Sequence, residues 1–305
     1  MTILELLVSF KQMSLMKGIL SCLLVTFAAV SGCVILGFWK IVTRISASKA
    51  EPLLLRKADY TIIWWSLVNQ KMIQWLGLSK ITIDIDTSNP LDLQKWYLIF
   101  CNHQTWVDIL ILQTSLLQLI APIKFFTKSQ LKWVPFIGIA MYGLDFPYVK
   151  RATREQIKAN PALATLDRDN IFEACERFKN HPTCILNFLE GTRFSPAKHQ
   201  QRNSKYKHLL APKTGGASYV LEAMHDRLDS ILDITIYYPE GVPTFWDFLS
   251  GKNKNVIMQI KDFPIPEQSG SSSSHHKREV QSLVEKIWEE KDLYLQDLNH
   301  ESLAS

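Results

Sequence analysis

The sequence predicts an α/β fold, with a mixed, largely parallel sheet flanked by helices, preceded by a transmembrane helix and an amphipathic interfacial helix. Two observations carry this prediction. From residue 80 onward, short β-rich runs alternate with amphipathic helical stretches, as in α/β domains. Before them lies a long uncharged apolar stretch. The 305 residues suit one sizeable domain plus attachments, at roughly 100–200 residues per domain.

Residues 18–39 are the predicted transmembrane helix, within an anchor segment at 1–45. These 22 residues are uncharged and mostly apolar, with basic residues on both flanks. About 20 such residues cross a hydrocarbon core as a helix. A cleaved signal peptide is the alternative, but its apolar region is only about 7–15 residues long. The excess of basic residues on the C-terminal flank predicts a single-pass or monotopic protein of the cytoplasmic (inner) membrane, with its main domain in the cytoplasm.

Residues 46–80 contain the predicted amphipathic interfacial helix. Apolar residues, three of them tryptophans, recur at helical spacing: Trp64, Trp65, Val68, Met72, Trp75 and Leu76. Polar residues occupy the other side: Ser66, Asn69, Gln70, Lys71 and Gln74. Indole rings favour a bilayer interface because they combine an apolar body with a polar N–H. An ordinary core-facing helix is the alternative.

The α/β domain is predicted at 81–266, followed by a Ser-rich linker at 267–278 and an amphipathic helix at 279–305. Strand-like runs lie at 81–85, 96–101, 141–149, 184–188, 232–238 and 256–260. Helical patterns lie near 107–117, 170–178 and 216–224. The linker composition is flexible because Ser and Gly dominate it.

Composition excludes several classes of protein. The five cysteines form no Cys-x-x-Cys pair, which favours reduced thiols over a disulfide framework. The net charge of +5 fits an anionic membrane face or phosphate-bearing substrates, and no basic run interleaved with aromatics indicates nucleic-acid binding. His275 and His276 have no Cys or carboxylate at ligand spacing, so no metal site is predicted.

A polar loop follows the first buried strand pattern. The run 96–101 stops at Asn102-His103, and a helical pattern begins near Thr105. In open α/β sheets, ligands bind at the carboxyl ends of strands. Asp108, in the first helical turn, can reach back to His103 and fix its tautomer, which leaves the other ring nitrogen to accept a proton. The alternative is that Asp108 complements the helix dipole and His103 is merely polar.

A second polar loop, at 189–194, follows the strand pattern at 184–188. Its charged residues and Gly191 would bring Arg193 and backbone N–H groups to the same end of the sheet, suited to a phosphate. Arg151 and Lys213 are further cations, the latter opening a helix as an anion-binding nest. The chain has no Gly-x-Ser-x-Gly elbow, Walker A or dinucleotide fingerprint.

These residues resemble the 1-acyl-sn-glycerol-3-phosphate (lysophosphatidic acid) acyltransferase family. The segment 102–108 is similar to its His-x4-Asp motif, and 188–194 is similar to its Glu-Gly-Thr-Arg motif. Further matches lie at 128–131, 135, 138, 198–199, 212–215, 238–239 and 248–252. The segment 288–292 resembles the branch that contains lysocardiolipin acyltransferase and the bacterial YihG-type acyltransferases.

The resemblance implies an acyltransferase whose catalytic domain is the segment 81–266. It would move a fatty acyl group from acyl-CoA or acyl-carrier protein to the sn-2 hydroxyl of lysophosphatidic acid or a related lysophospholipid. His103 would be the general base and Asp108 would orient it. The residues that would bind the substrate phosphate are Glu190, Gly191, Thr192, Arg193 and Arg151, with support from Lys128 and Lys213. Neither a cofactor nor a metal is implied.

One departure concerns the acceptor head group. The chain has Tyr148-Val149-Lys150-Arg151 where much of the family has aromatic-apolar-Asp-Arg, so lysophosphatidic acid and a larger anionic lysophospholipid both stay open.

Membrane lipids are the expected partners. We hypothesise that Lys124, Lys128 and Lys132, spaced four apart, face anionic head groups. Nearby aromatic residues would then dip inward: Phe125, Phe126, Trp133 and Phe136. Two other functions are considered: a non-catalytic lipid-binding or scaffold protein of the same fold, and a lipid hydrolase in which His103 activates water.

Overall fold

The computed structural model describes residues 3–45, 51–128, 133, 141, 144, 146, 148–149, 158–160, 162–267 and 273–304. Arg151, Lys132 and Phe136 lie outside the described residues, so their predicted roles stay predictions. The backbone of Lys128 is described, but its side chain lies outside that part of the structure.

A six-stranded sheet organises the domain, in the order β1-β8-β7-β2-β6-β3. Its strands are β1 (Lys80–Asp86), β2 (Tyr97–Cys101), β3 (Ile123–Phe125), β6 (Cys184–Phe188), β7 (Ser230–Tyr237) and β8 (Asn255–Phe263). A separate parallel pair joins β4 (Thr127–Lys128) to β5 (Tyr148–Val149). All neighbours in the large sheet are parallel except β7 and β8. The predicted mixed, largely parallel sheet is therefore confirmed.

Helices cover both faces of the sheet. They are α1 (Ile3–Ile45), α2 (Glu51–Leu76), α3 (Val107–Ser115), α4 (Ala162–Phe178), α5 (Pro196–Arg202), α6 (Gly215–Met224), α7 (Phe245–Leu249) and α8 (Ser273–Ala304). Strand β2 is buried on both sides: Ile99 packs in a core with residues of α2 and α3, and Phe100 packs in a second core with residues of α4, α6 and α8. Central strands that are apolar throughout are typical of covered parallel sheets.

Several predicted boundaries differ from the structure. Helix α8 begins at Ser273, within the predicted linker, where His275 and Glu279 form an i,i+4 pair at 3.4 Å. Helix α4 begins at Ala162 instead of near residue 170. Of the predicted strand at 141–149, Tyr148–Val149 is observed as strand, whereas residues 141, 144 and 146, the others that the structure describes there, are not. Local hydrophobic patterns define such ends poorly because capping and tertiary contacts decide them.

Helix α1 packs along the domain and leaves one apolar face uncovered. The Ser14 hydroxyl donates to the Ser250 carbonyl at 2.9 Å, and a Cβ placed on Gly32 would contact Thr61 at 3.5 Å. The exposed face carries Met13, Met16, Leu20, Leu23, Phe27, Val30, Val34, Phe38, Ile41 and Ile45. The segment 11–39 is long and apolar enough to cross a membrane, with 22% of its most apolar window buried. Such a face indicates membrane association.

The predicted polar side of helix α2 is wrong for Ser66 and Asn69. Ser66 and Asn69, expected on the polar side, are buried, whereas Trp75 is 80% exposed. The reason is that α2 is covered by both α1 and α3. The Asn69 amide donates to the Trp65 carbonyl at 2.7 Å, so the buried side chain is bonded within its own helix.

The hypothesis that Lys124 faces lipid head groups is also wrong. Lys124 lies in β3 and is completely buried. Its Nζ is 3.1 Å from Asp59 Oδ1, and His181 Nε2 is 2.5 Å from Asp59 Oδ2. Lys124 lies in a strand in which the neighbouring Ile123 is buried as well, so the spacing from Lys128 and Lys132 does not determine its exposure.

Candidate active site

The two polar loops begin side by side. Strands β2 and β6 are parallel neighbours, with Cys101 opposite Phe188 at their carboxyl ends. The loops at 102–106 and 189–195 therefore leave the same edge of the sheet, as the sequence predicts. The Phe194 N–H donates to the His103 carbonyl at 2.6 Å, which joins the loops directly.

His103 and Asp108 form a hydrogen-bonded dyad. His103 Nδ1 lies 2.8 Å from Asp108 Oδ2, and the Asp108 side chain is buried. The same Oδ2 accepts the backbone N–H groups of Gln104 at 2.6 Å and Thr105 at 2.9 Å. An ionised Asp108 places the imidazole proton on Nδ1 and leaves Nε2 as the basic nitrogen. Within the described residues, Nε2 has no hydrogen-bond partner.

Two aromatic residues fix the dyad. The Phe188 ring stacks on the His103 ring with centroids 4.0 Å apart and an interplanar angle of 16°. The Tyr238 hydroxyl donates to Asp108 Oδ1 at 2.7 Å. Burial, followed by the charge of Asp108, raises the pKa of Tyr238 well above its ordinary value, so it remains a donor. Sequence reasoning gave neither residue a role, although both end or follow strands beside β2.

Glu190 has a different role from the one predicted. Its side chain is completely buried, with Oε1 accepting the His103 N–H at 2.9 Å and Oε2 accepting the Leu210 N–H at 3.2 Å. Burial raises the pKa of Glu190 to about 7, against the lowering effect of both N–H groups. Both of its oxygens therefore accept backbone N–H groups. Glu190 instead braces the loop that carries His103.

The rest of the second loop presents cations. The exposed Arg193 guanidinium lies 4.6 Å from the centre of the Trp106 ring, a cation–π contact. Lys198 Nζ donates to Thr192 Oγ1 at 3.0 Å and to the Arg193 carbonyl at 2.9 Å. The Thr192 hydroxyl is thus engaged by a lysine whose contact the sequence did not reveal.

Gly191 allows the loop to turn tightly. Its φ is +67°, and a Cβ there would lie 3.3 Å from Lys213 Cδ. Lys213 is therefore close to the loop, and its N–H donates to the Leu189 carbonyl at 2.7 Å. Arg202 donates to the Glu190 carbonyl at 3.1 Å. The edge of the sheet beside His103 is consequently rich in positive charge.

An apolar cavity of about 480 Å³ adjoins the polar loops. Trp106, which contacts Arg193, forms part of its wall, and the N-terminal helices form another part. Other lining residues include Val25, Ala28, Leu36, Ile62, Trp65, Ile109, Phe125, Phe146 and Phe245. This volume is typical of small-molecule sites, and such walls favour hydrocarbon. In the described ranges, no group of three or more His, Cys, Asp or Glu side chains could hold a metal ion.

The fold and the paired loops define a class of protein. The Acyltransferase family model matches residues 82–239, just over half of the chain and including both loops. The chain therefore belongs to the acyltransferase family, as its motifs predict.

The names of the curated relatives describe enzymes that act on lysophospholipids. The chain is 26% identical over 250 residues to lysocardiolipin acyltransferase 1 of Gallus gallus, covering 77% of this chain and 61% of the relative. It is 23% identical over 255 residues to 1-acyl-sn-glycerol-3-phosphate acyltransferase gamma of Homo sapiens, covering 79% and 63%. The chain thus spans under two thirds of these relatives. The crystal structure of the LPA acyltransferase PlsC from Thermotoga maritima aligns with a TM-score of 0.45 and 15% identity, covering 86% of this chain and 97% of that one.

Proposed function

We propose that this protein is an O-acyltransferase that moves a fatty acyl group from a thioester to the glycerol hydroxyl of a lysophospholipid. The observation that carries the proposal is the His103–Asp108 dyad, placed between a cationic loop and an apolar cavity. The reaction requires a base, positive charge for the phosphate and space for hydrocarbon.

Neutral His103 would act as the general base. Its Nε2 accepts the proton of the acceptor hydroxyl while that oxygen attacks the thioester carbonyl. The new C–O bond forms, the C–S bond breaks, and the leaving thiolate takes the proton back from the imidazolium. Asp108 stabilises the imidazolium between these steps, because its carboxylate lies 2.8 Å from Nδ1.

The acceptor phosphate would bind beside the dyad. Arg193, Lys198 and Lys213 supply positive charge, and Gly191 and Thr192 shape the loop between them. Arg151 and Lys128 are proposed as additional phosphate contacts. Glu190 holds this loop against the first loop and does not bind the phosphate. The name of one relative, 1-acyl-sn-glycerol-3-phosphate acyltransferase gamma, supports the sn-2 hydroxyl of an anionic lysophospholipid as the proposed acceptor.

The membrane would deliver the lipid substrates. The uncovered face of α1 is suited to the bilayer, and α1 also lines the cavity, so an acyl chain would pass from lipid to a site built partly by the anchor. We place the active site at the cytoplasmic face of the inner membrane, with acyl-CoA or acyl-carrier protein as donor.

Acyl transfer by the purified, detergent-solubilised protein tests the proposal. Labelled acyl-CoA and acyl-carrier protein are each offered to lysophosphatidic acid, lysocardiolipin and lysophosphatidylinositol, and without acceptor. Labelled phospholipid is the expected product. Free fatty acid that forms equally without acceptor would indicate a hydrolase, and no product with any acceptor would indicate a scaffold protein.

Arg193→Ala tests the phosphate surface in the same assay. We expect KM for the acceptor to rise about tenfold, since a charged hydrogen bond is worth about 1.5–3 kcal/mol, while kcat falls less. Arg227→Ala is the matched control, because Arg227 is exposed and pairs with Asp226 far from the loops. An unchanged KM in Arg193→Ala would remove Arg193 from the phosphate site.

A further inference from the structure

The segment that follows β7 contacts the dyad at its first residue. Tyr238 is buried, and its hydroxyl donates to Asp108 Oδ1 at 2.7 Å. The other carboxylate oxygen is already engaged by His103 and two backbone N–H groups. Both oxygens of Asp108 are therefore held in place, and Tyr238 fixes the one that faces away from the imidazole.

The same segment holds the backbone around His103. The Thr105 hydroxyl donates to the Pro243 carbonyl at 2.8 Å. On the other side of His103, the Asn102 side chain exchanges two hydrogen bonds with the backbone of Ile236, each of 2.9 Å. The loop is thus fastened to β7 and to its continuation on both sides of the base.

The far end of the segment contacts helix α1. The Trp246 ring packs so closely on Gly18 that a Cβ there would lie 2.7 Å from Trp246 Cη2. The Ser250 carbonyl accepts the Ser14 hydroxyl at 2.9 Å. One stretch of chain, residues 238–250, therefore spans from the dyad to the helix that faces the membrane.

We propose that the segment 238–250 couples helix α1 to the dyad, and that Tyr238 is the positioning residue at its catalytic end. The proposal rests on the proposed acyl transfer. The Tyr238 hydrogen bond keeps the Asp108 carboxylate aligned with His103 and draws negative charge toward Oδ1. Removing it would leave the buried Oδ1 without its donor and concentrate the charge on Oδ2, which the imidazole and two backbone N–H groups still hold.

Other titratable groups near Asp108 set the background for a pH measurement. Cys101 and Glu190 interact with its charge, and Lys291, from α8, acts on both of these groups. All three groups are present in every variant, so a change in the pH dependence of activity reports the loss of the Tyr238 hydroxyl.

Tyr238→Phe tests the catalytic end. We expect kcat to fall about tenfold to hundredfold, the loss typical of one hydrogen bond to a charged group, with little change in KM. Because the neutral imidazole is the base, activity is lost as pH falls. In Tyr238→Phe the Asp108 carboxylate holds the imidazolium more strongly, so the acid limb of the pH–activity profile moves to higher pH.

Tyr237→Phe is the matched control. The Tyr237 hydroxyl is also partly buried but bonds Ser302 at 2.9 Å, away from the dyad. An unchanged kcat and acid limb in Tyr238→Phe, or equal losses in the two variants, would overturn the positioning role.

Histidine NMR gives a readout that needs no enzyme activity. The ring signals of the labelled protein are titrated in detergent, with His103 assigned from a His103→Gln variant. Its titration midpoint should move to higher pH in Tyr238→Phe and stay in Tyr237→Phe. If the midpoint moves but the wild type transfers no acyl group, the proposed function fails and the positioning survives. If it does not move, the positioning fails whatever the activity.

Gly18→Val tests the end at α1. The added side chain must displace Trp246, whereas Gly37→Val, on the same helix, meets nothing within 4 Å. Both variants should bind vesicles of anionic phospholipid as the wild type does. We expect a severalfold lower kcat in Gly18→Val only, with recovery when Trp246→Ala is added. Equal kcat values in the two glycine variants would overturn the coupling to α1.

Discussion

The part of the molecule that the structure describes contains two histidine–aspartate pairs, which lie at opposite ends of the sheet. His103 follows the last residue of β2 and pairs with Asp108 at 2.8 Å. His181 precedes the first residue of β6 and pairs with Asp59 at 2.5 Å. Both carboxylates are buried or nearly so. A histidine–carboxylate contact alone therefore does not mark a catalytic site.

The second oxygen of each carboxylate distinguishes the pairs. Asp108 Oδ1 accepts the neutral Tyr238 hydroxyl, whereas Asp59 Oδ1 faces the buried Lys124 cation at 3.1 Å. Burial alone would raise the pKa of Asp59, but the His181 hydrogen bond and the Lys124 charge outweigh it and lower that pKa. Asp59 thus neutralises a buried lysine and joins α2 to the sheet, while Asp108 serves a histidine beside a cavity.

Replacing Asp108 or Asp59 with asparagine should distinguish the two roles most strongly. Asp108→Asn should lower kcat about hundredfold to ten-thousandfold, because the wrong tautomer is favoured at His103. Asp59→Asn should instead lower the free energy of unfolding by about 3–5 kcal/mol, since it leaves Lys124 buried without a counter-charge. The measurements are kcat and denaturant unfolding of both variants. If Asp59→Asn lost as much kcat per folded molecule as Asp108→Asn, the distinction would collapse.

Glu190, which holds the loop that carries His103, should make the free energy of unfolding depend on pH. The pKa of Glu190 is raised from 4.5 to about 7 by burial, so the folded state binds this proton more tightly than the unfolded chain. Its contribution is fully present below pH 4.5 and is lost as pH rises through about 7, a change on the order of 3 kcal/mol.

Glu190→Gln provides the control for this prediction, because glutamine keeps the shape and does not titrate. Denaturant unfolding of both proteins at pH 4.5 and pH 8 should show a larger loss of stability in the wild type. Parallel pH profiles would mean that Glu190 is not titrating in this range.

The smallest expected effect concerns Gly191, in the turn that follows Glu190. Gly191→Ala places a side chain at a φ of +67° and against Lys213, which should cost about 1–2 kcal/mol of unfolding free energy. Gly215→Ala is the comparison, since a Cβ there meets nothing within 4 Å. Thermal unfolding of the two variants measures the difference, and equal midpoints would show that the turn relaxes without strain.

The sequence predicted those parts of the site that depend on residues close together in the chain. A buried strand that ends just before Asn102-His103, with Asp108 in the first turn of α3, predicts that the two side chains can meet. The cationic loop after β6 follows from the same rule. The reaction itself was predicted from the family resemblance, because the spacing of residues does not specify it.

The rest depends on tertiary packing. Glu190 lies between a glycine and a strand end, where a carboxylate is ordinarily exposed; only the fold brings the His103 and Leu210 N–H groups onto its two oxygens. Tyr238 reaches Asp108 because β7 lies beside β2, a strand order that the local pattern does not encode. Lys124 was misplaced because its buried partner, Asp59, lies 65 residues earlier in the chain, beyond the reach of any local spacing.

Alanine at each of the two histidines tests the central claim most directly. The measurement is kcat for acyl transfer to the preferred lysophospholipid by His103→Ala and His181→Ala, each corrected for the folded fraction. We predict a loss of about hundredfold to ten-thousandfold for His103→Ala, the contribution of a general base, and a kcat near that of the wild type for His181→Ala. A His103→Ala protein that retains a rate similar to that of His181→Ala would contradict the account.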